Sequence, residues 1–166
     1  MRSESPNLGD HSRTLSQALR AIRKHRGLRA AEVAEAMHMP LRTYEHFESG
    51  RGRVNLPYIH RFAQVTDSDP FAILASLSLG SSRFAWRCAD NKLMMIMMMA
   101  LQDYDELLGD RIAGQHPRTL IKAFTDAFRA LAEHEAQRER IAAGWIQPRE
   151  DRLGQVDGRG PADRDP

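Results

Sequence analysis

Residues 27–65 read GLRAAEVAEAMHMPLRTYEHFESGRGRVNLPYIHRFAQV. Three short segments in this stretch carry apolar residues at helical spacing, with breaks between them. Ala30 to Met37 fits a helix with Val33, Ala34 and Met37 inward. His38-Met39-Pro40 interrupts it, and Leu41 to Glu48 fits the next helix. Ser49-Gly50 is a stop, because glycine takes the left-handed conformation that closes many helices. Arg51 to Val54 is a basic loop, and Leu56 to Val65 fits a further helix with Leu56, Ile59, Phe62 and Ala63 inward. In the Leu41–Glu48 segment, Arg42, Glu45, His46 and Ser49 fall on one face, while Tyr44 and Phe47 point the other way.

Upstream, Leu15, Ala18, Leu19 and Ile22 recur at steps of three and four, so a helix is expected from Thr14, capped by Thr14 or Ser12 and ended by Gly27. Residues 1–12 are polar, hold Pro6 and Gly9, and read as a flexible arm. Downstream, Asp69-Pro70 reads as a cap and first helical position, opening a fifth helix to about Leu77. Gly80-Ser81-Ser82 marks a boundary, and residues 81–89 read as a linker. Asp90 or Asn91 is then expected to cap a helix to about Leu108, and Gly109, Gly114 and Pro117 to punctuate a loop. A long helix fits Pro117 to Ala143, with Gly144 after it. Residues 146–166, ending DGRGPADRDP, have little to bury and are expected to be disordered. The expected organisation is an all-α, five-helix domain over 13–80, followed by a helical hairpin at 90–145.

A turn of roughly three residues between the second and third helices describes a helix-turn-helix. The order Gly27-Leu28, Glu32-Val33-Ala34, Thr43 to Gly50, and Leu56 with its apolar spacing resembles the phage-repressor-like (XRE-type, Cro/CI-like) regulator family over residues 13–78. The resemblance implies a lambda-repressor-like fold with the third helix in the major groove of double-stranded DNA. It implies base reading at Leu41, Arg42 and His46, to which the shared helix face adds Glu45. Leu41 would meet a thymine methyl and Arg42 a guanine edge, while Glu45 would accept from cytosine or orient Arg42. Phosphate contacts are expected from Arg29, Thr43, Ser49, Arg51 and Arg53. Arg23 and Glu48 match an ion pair that ties the family's first helix to the end of its third. The sequence departs from the family at four places: Arg29 and Pro40 stand where small polar caps are usual, Ala30 replaces a common glutamine, and His38 stands where glycine is usual. His38 is therefore expected to strain the turn.

In the C-terminal half, Leu93, Met97, Tyr104 and Leu107 step by helical intervals, and Met94, Met98, Leu101 and Leu108 cover a neighbouring face. Ile121, Phe124, Phe128 and Leu131 repeat the pattern on the long helix. Two such helices are too small to bury both faces alone, so Leu93, Met94, Met97, Met98, Leu101, Tyr104, Leu108, Ile121, Phe124, Phe128 and Leu131 are expected at a homodimer interface. A dimer would set two recognition helices one DNA turn apart on a palindrome, and repression by occlusion needs only binding. Activation through RNA polymerase or a second regulatory protein docking on the methionine-rich helix is an alternative, as is an antitoxin whose C-terminal half neutralises a toxin. Five methionines between Met94 and Met99 could bind copper(I), but packing explains them more simply.

The charge distribution agrees with a DNA partner. Residues 1–66 hold eleven Lys and Arg against six Asp and Glu, although the 166-residue chain nets only +2. The longest apolar run, Leu93 to Leu101, is about half the length of a membrane span, so no membrane association is expected. No secretory leader is recognised, and Cys88 is the sole cysteine, which excludes an internal disulfide. The expectation is a cytoplasmic, nucleoid-associated bacterial protein. With no nucleophile–base pair, metal-ligand cluster or glycine-rich phosphate loop in view, it is expected to have no catalytic residues, metal or cofactor.

Overall fold

A computed structural model describes residues 8–156, with side chains over 10–141. The described residues are all-helical with no strand. The helices are α1 (Leu8–His25), α2 (Ala30–Ala36), α3 (Leu41–Glu48), α4 (Leu56–Val65), α5 (Pro70–Ser78), α6 (Ser82–Arg87), α7 (Leu93–Leu108) and α8 (Pro117–Val156), with a 3-10 turn at Gly109–Gly114. The chain divides into two units, residues 1–109 and 110–166.

The core of the first unit is built from the predicted stripes. Leu15, Ala18, Leu19 and Ile22 of α1 are buried against Val33, Ala34 and Met37, Tyr44 and Phe47, and Ile59, Phe62 and Ala63. Each large side chain taken out of water contributes roughly 1.5–3 kcal/mol. Phe47 lies among aromatic rings, 5.7 Å from Tyr58 and 6.2 Å from Phe62. Leu56, expected inward, is instead half-exposed at the first turn of α4.

Three expectations need correction. First, α1 begins at Leu8, so residues 8–12 are helical and Thr14 lies buried inside the helix instead of capping it. The extra turns are held from a distance: the backbone of Ser12 packs directly on Gly50. Second, residues 81–89 are no linker. They contain α6, which packs on α1 and α5 and adds Ala85 to the core, and Ala89 just after it is buried there too. These small residues carry little hydrophobic signal of their own. Third, α8 passes Gly144 and continues to Val156, so residues 146–156 of the expected disordered tail are helical. The remainder of that tail and the first seven residues of the expected arm lie outside the described residues.

Asp69 joins two helices. It is fully buried, and its Oδ1 accepts the N–H groups of Phe71 and Ala72 at 3.0 Å, capping α5 as expected. Its Oδ2 accepts those of Met94 at 2.8 Å and Met95 at 3.1 Å, so the same carboxylate caps α7. Asn91, one of the expected caps, adds an acceptor to the Leu93 N–H at 3.0 Å. Lys92 takes φ of 55° at this junction, and its ammonium donates to the Asp67 backbone carbonyl, to the Asp67 carboxylate at 3.0 Å and to the Ala89 carbonyl at 2.8 Å. Arg26, in the turn just after α1, reaches across to the Thr66 carbonyl at 2.8 Å and the Asp90 carboxylate at 2.7 Å.

In the second unit, α8 carries a polar face on which Lys122 and Arg129 pair with Asp126 at 2.5 and 3.4 Å. Ile121, Phe124, Phe128 and Leu131 are exposed.

Candidate nucleic-acid interface

The turn between α2 and α3 is built as the spacing suggests. The Met39 N–H closes on the Ala34 carbonyl at 3.0 Å, and Pro40 opens α3 with its carbonyl accepting from Thr43 and Tyr44. Between them His38 holds φ of 53°, the expected strain of a side chain in a left-handed position. Arg61 of α4 donates to the Met37 carbonyl at 3.0 Å and so secures the end of α2.

Helix α3 is anchored from behind. Tyr44, Phe47 and Glu48 are buried. Arg23 grips Glu48 with both arms of its guanidinium, Nε to Oε1 at 2.5 Å and Nη2 to Oε2 at 3.2 Å, and sends Nη1 to the Leu28 carbonyl at 3.0 Å. The Tyr44 hydroxyl donates to Glu48 Oε1 at 2.8 Å. The Glu48 hydrogen bond holds the Arg23 guanidinium above its ordinary pKa, and burial, then Glu48, pushes the Tyr44 phenol far up. A carboxylate held by this many donors fixes the pitch of α3 against α1.

The outer face of α3 presents Leu41, Arg42, Glu45 and His46 to solvent. No ion pair within the described residues engages Arg42 or Glu45, so the three-residue pairing considered for them is not formed. Arg51 and Arg53, on the loop after α3, are likewise exposed and outside every such ion pair. Arg29 differs. At the start of α2 its guanidinium pairs with Glu32 at 2.8 Å while its N–H donates to the other Glu32 oxygen at 2.7 Å. That contact raises the Arg29 pKa and lowers that of Glu32. A phosphate at Arg29 would have to compete with Glu32.

A cavity of about 280 Å³ brings Thr43, His46, Arg51 and Arg53 together beside Gly50 and Asn55. Ser49 is half-buried, with its hydroxyl donating to the His46 carbonyl at 2.7 Å, and does not line this cavity. An adjoining cavity of about 370 Å³ is lined by His11, Ser12 and Arg53. His11 Nε2 is buried there without a hydrogen-bond partner. The sequence reading missed His11, since its place in a supposed arm hid the helix that carries it.

Residues 14–70, roughly a third of the chain, match a family model described as a helix-turn-helix domain. This segment is a helix-turn-helix domain. No curated protein and no solved structure matches the chain. The helix-turn-helix match is consistent with an XRE-like regulator family and suggests a DNA-binding regulator; domains of this kind are typically non-enzymatic. Among the described residues no helix is long and apolar enough to cross a membrane, and no His, Cys, Asp and Glu group is placed to hold a metal ion. Cys88 is buried, and that burial raises its thiol pKa, which leaves it a poor nucleophile.

Proposed function

We propose that the helix-turn-helix domain reads a specific double-stranded DNA site with Leu41–Ser49 in the major groove, and that the chain acts as a homodimeric repressor of transcription on a palindrome. The observation that carries this reading is the division of α3: Tyr44, Phe47 and Glu48 fasten it, while Arg42, Glu45 and His46 stay exposed on the opposite face. A guanidinium outside any ion pair can form a bidentate bond with guanine O6 and N7 without first breaking an internal contact. Arg51, Arg53, Thr43 and Ser49 supply the phosphate contacts that set register. Selection from random duplexes with the full chain tests the proposal. Enrichment of a motif with two-fold symmetry is expected, and a pool that stays random after several rounds overturns it.

A second reading, activation through a protein partner, has one observation in its favour. Ile96 and Met99 of α7 are 59% and 61% exposed, although the spacing singled out neither. A reporter fused to the selected site separates the two: loss of the regulator raises expression under repression and lowers it under activation.

A further inference from the structure

On α8 the apolar stripe Ile121, Phe124, Phe128 and Leu131 steps by three, four and three, and each residue is exposed, from 46% at Phe124 to 66% at Ile121. That is the period of a two-helix seam. Carried on, the same period reaches Glu135 and Arg138, which pair with each other at 3.0 Å. Among the residues whose side chains are described, the seam is thus apolar at four positions and charged at the next two.

We propose that α8 pairs antiparallel with α8 of a second copy of this chain, about a two-fold axis level with Asp126. The inference rests on the homodimer reading and adds its direction and register. With that register Ile121 meets Leu131 of the second copy and Phe124 meets Phe128, so each of these four residues finds an apolar partner. Ala127 and Thr125 flank the axis, and their small side chains let the helices close. A parallel pair would set Glu135 against Glu135 and Arg138 against Arg138 on the same seam. The antiparallel pair instead places Glu135 beside Arg118 and the positive N-terminal end of the opposing helix. The residues at the back of α8, Lys122, Asp126 and Arg129, are already paired among themselves and stay solvated. Successive α8 starts then lie about 27 Å apart along the helix axis, from roughly eighteen residues at about 1.5 Å each.

The test uses the full chain. Sedimentation is expected to show a dimer, and Phe124→Lys should weaken it by about a hundredfold with the helical signal and melting curve kept, since Phe124 is exposed within the chain. Under mild oxidation Ala127→Cys should cross-link to itself, and Ile121→Cys should not, except when mixed with Leu131→Cys. The parent chain is the control, because Cys88 is buried. A monomeric parent overturns the proposal, as does self-linking of Ile121→Cys in place of Ala127→Cys. Binding to one half of the selected duplex is read on the same samples. Lost pairing with half-site binding retained sinks the pairing alone, whereas a cross-linked dimer that prefers no duplex upholds the pairing and sinks the DNA-reading proposal.

Discussion

Gly50 shows how tightly one residue can bind α3 to the rest. It holds φ of 70°, and a Cβ built there would stand 2.1 Å from the Ser12 carbonyl oxygen. Backbone cannot swing aside as a flexible side chain can. Gly50→Ala is expected to destabilise the protein by about 3 kcal/mol, combining left-handed strain with displacement of α1. Urea denaturation gives the answer, and an unshifted midpoint would mean that α1 yields freely. On the outward side of α3, Arg42→Ala should cost about 1–3 kcal/mol at the selected site and relax preference at one base pair. Arg53→Ala should weaken selected and random duplexes alike and reduce the salt slope by about one. Fluorescence anisotropy across a salt series distinguishes them, and equal losses on both duplexes for Arg42→Ala would remove it from base reading.

At the scale of elements, Asp69 is the joint between α5 and α7. Asp69→Ala leaves four N–H groups at two helix starts without their acceptor, and a cap is worth about 1 kcal/mol at each. A loss of about 2 kcal/mol is expected by chemical denaturation, and Asp69→Asn should keep one cap and lose the other. Half of this joint was readable beforehand. Asp69-Pro70 announces a helix start because its signal is local, whereas its second role depends on N–H groups twenty-five and twenty-six residues away. The same distinction runs through the molecule. The three-and-four stripes locate the cores of α1 to α4, and the face that Tyr44 and Phe47 leave outward follows from period alone. Arg23 with Glu48 was legible through the family resemblance and has the expected geometry. The early turns of α1 and the whole of α6 were not legible, since Ser12, Ala85 and Ala89 are placed by partners distant in the chain and carry no apolar period. Arg29 and Glu32 stand three apart and could have been paired on sight. The helix-start position drew attention to phosphate instead.

At the scale of the first unit, ion pairs hold the start of α7 to the segments that follow α1 and α4. Lys92 lowers the pKa of Asp67, and Arg26, then His25, lowers that of Asp90. Both carboxyls titrate lower in the fold than in the unfolded chain. Their contribution is thus present above the ordinary carboxylate range near pH 4 and lost as pH falls through the lowered values. The melting temperature should drop on acidification below about pH 4, and Asp90→Asn should have a lower melting temperature at neutral pH and a shallower acid decline. An identical decline in the variant would remove Asp90 from the linkage. Because both aspartates are exposed, the effect should also shrink in high salt.

The burial of Ala85 and Ala89 bears on how this protein can be dissected. A cut at the Gly80 turn looks like a natural seam but would strip two residues from the interior and leave α5 and α7 on separate pieces, with Asp69 unable to serve both. Limited proteolysis followed by mass spectrometry should therefore yield a resistant fragment ending beyond Ala89, and a stable product ending at Gly80 would contradict it. The smallest fragment expected to fold by itself is therefore longer than the helix-turn-helix signature.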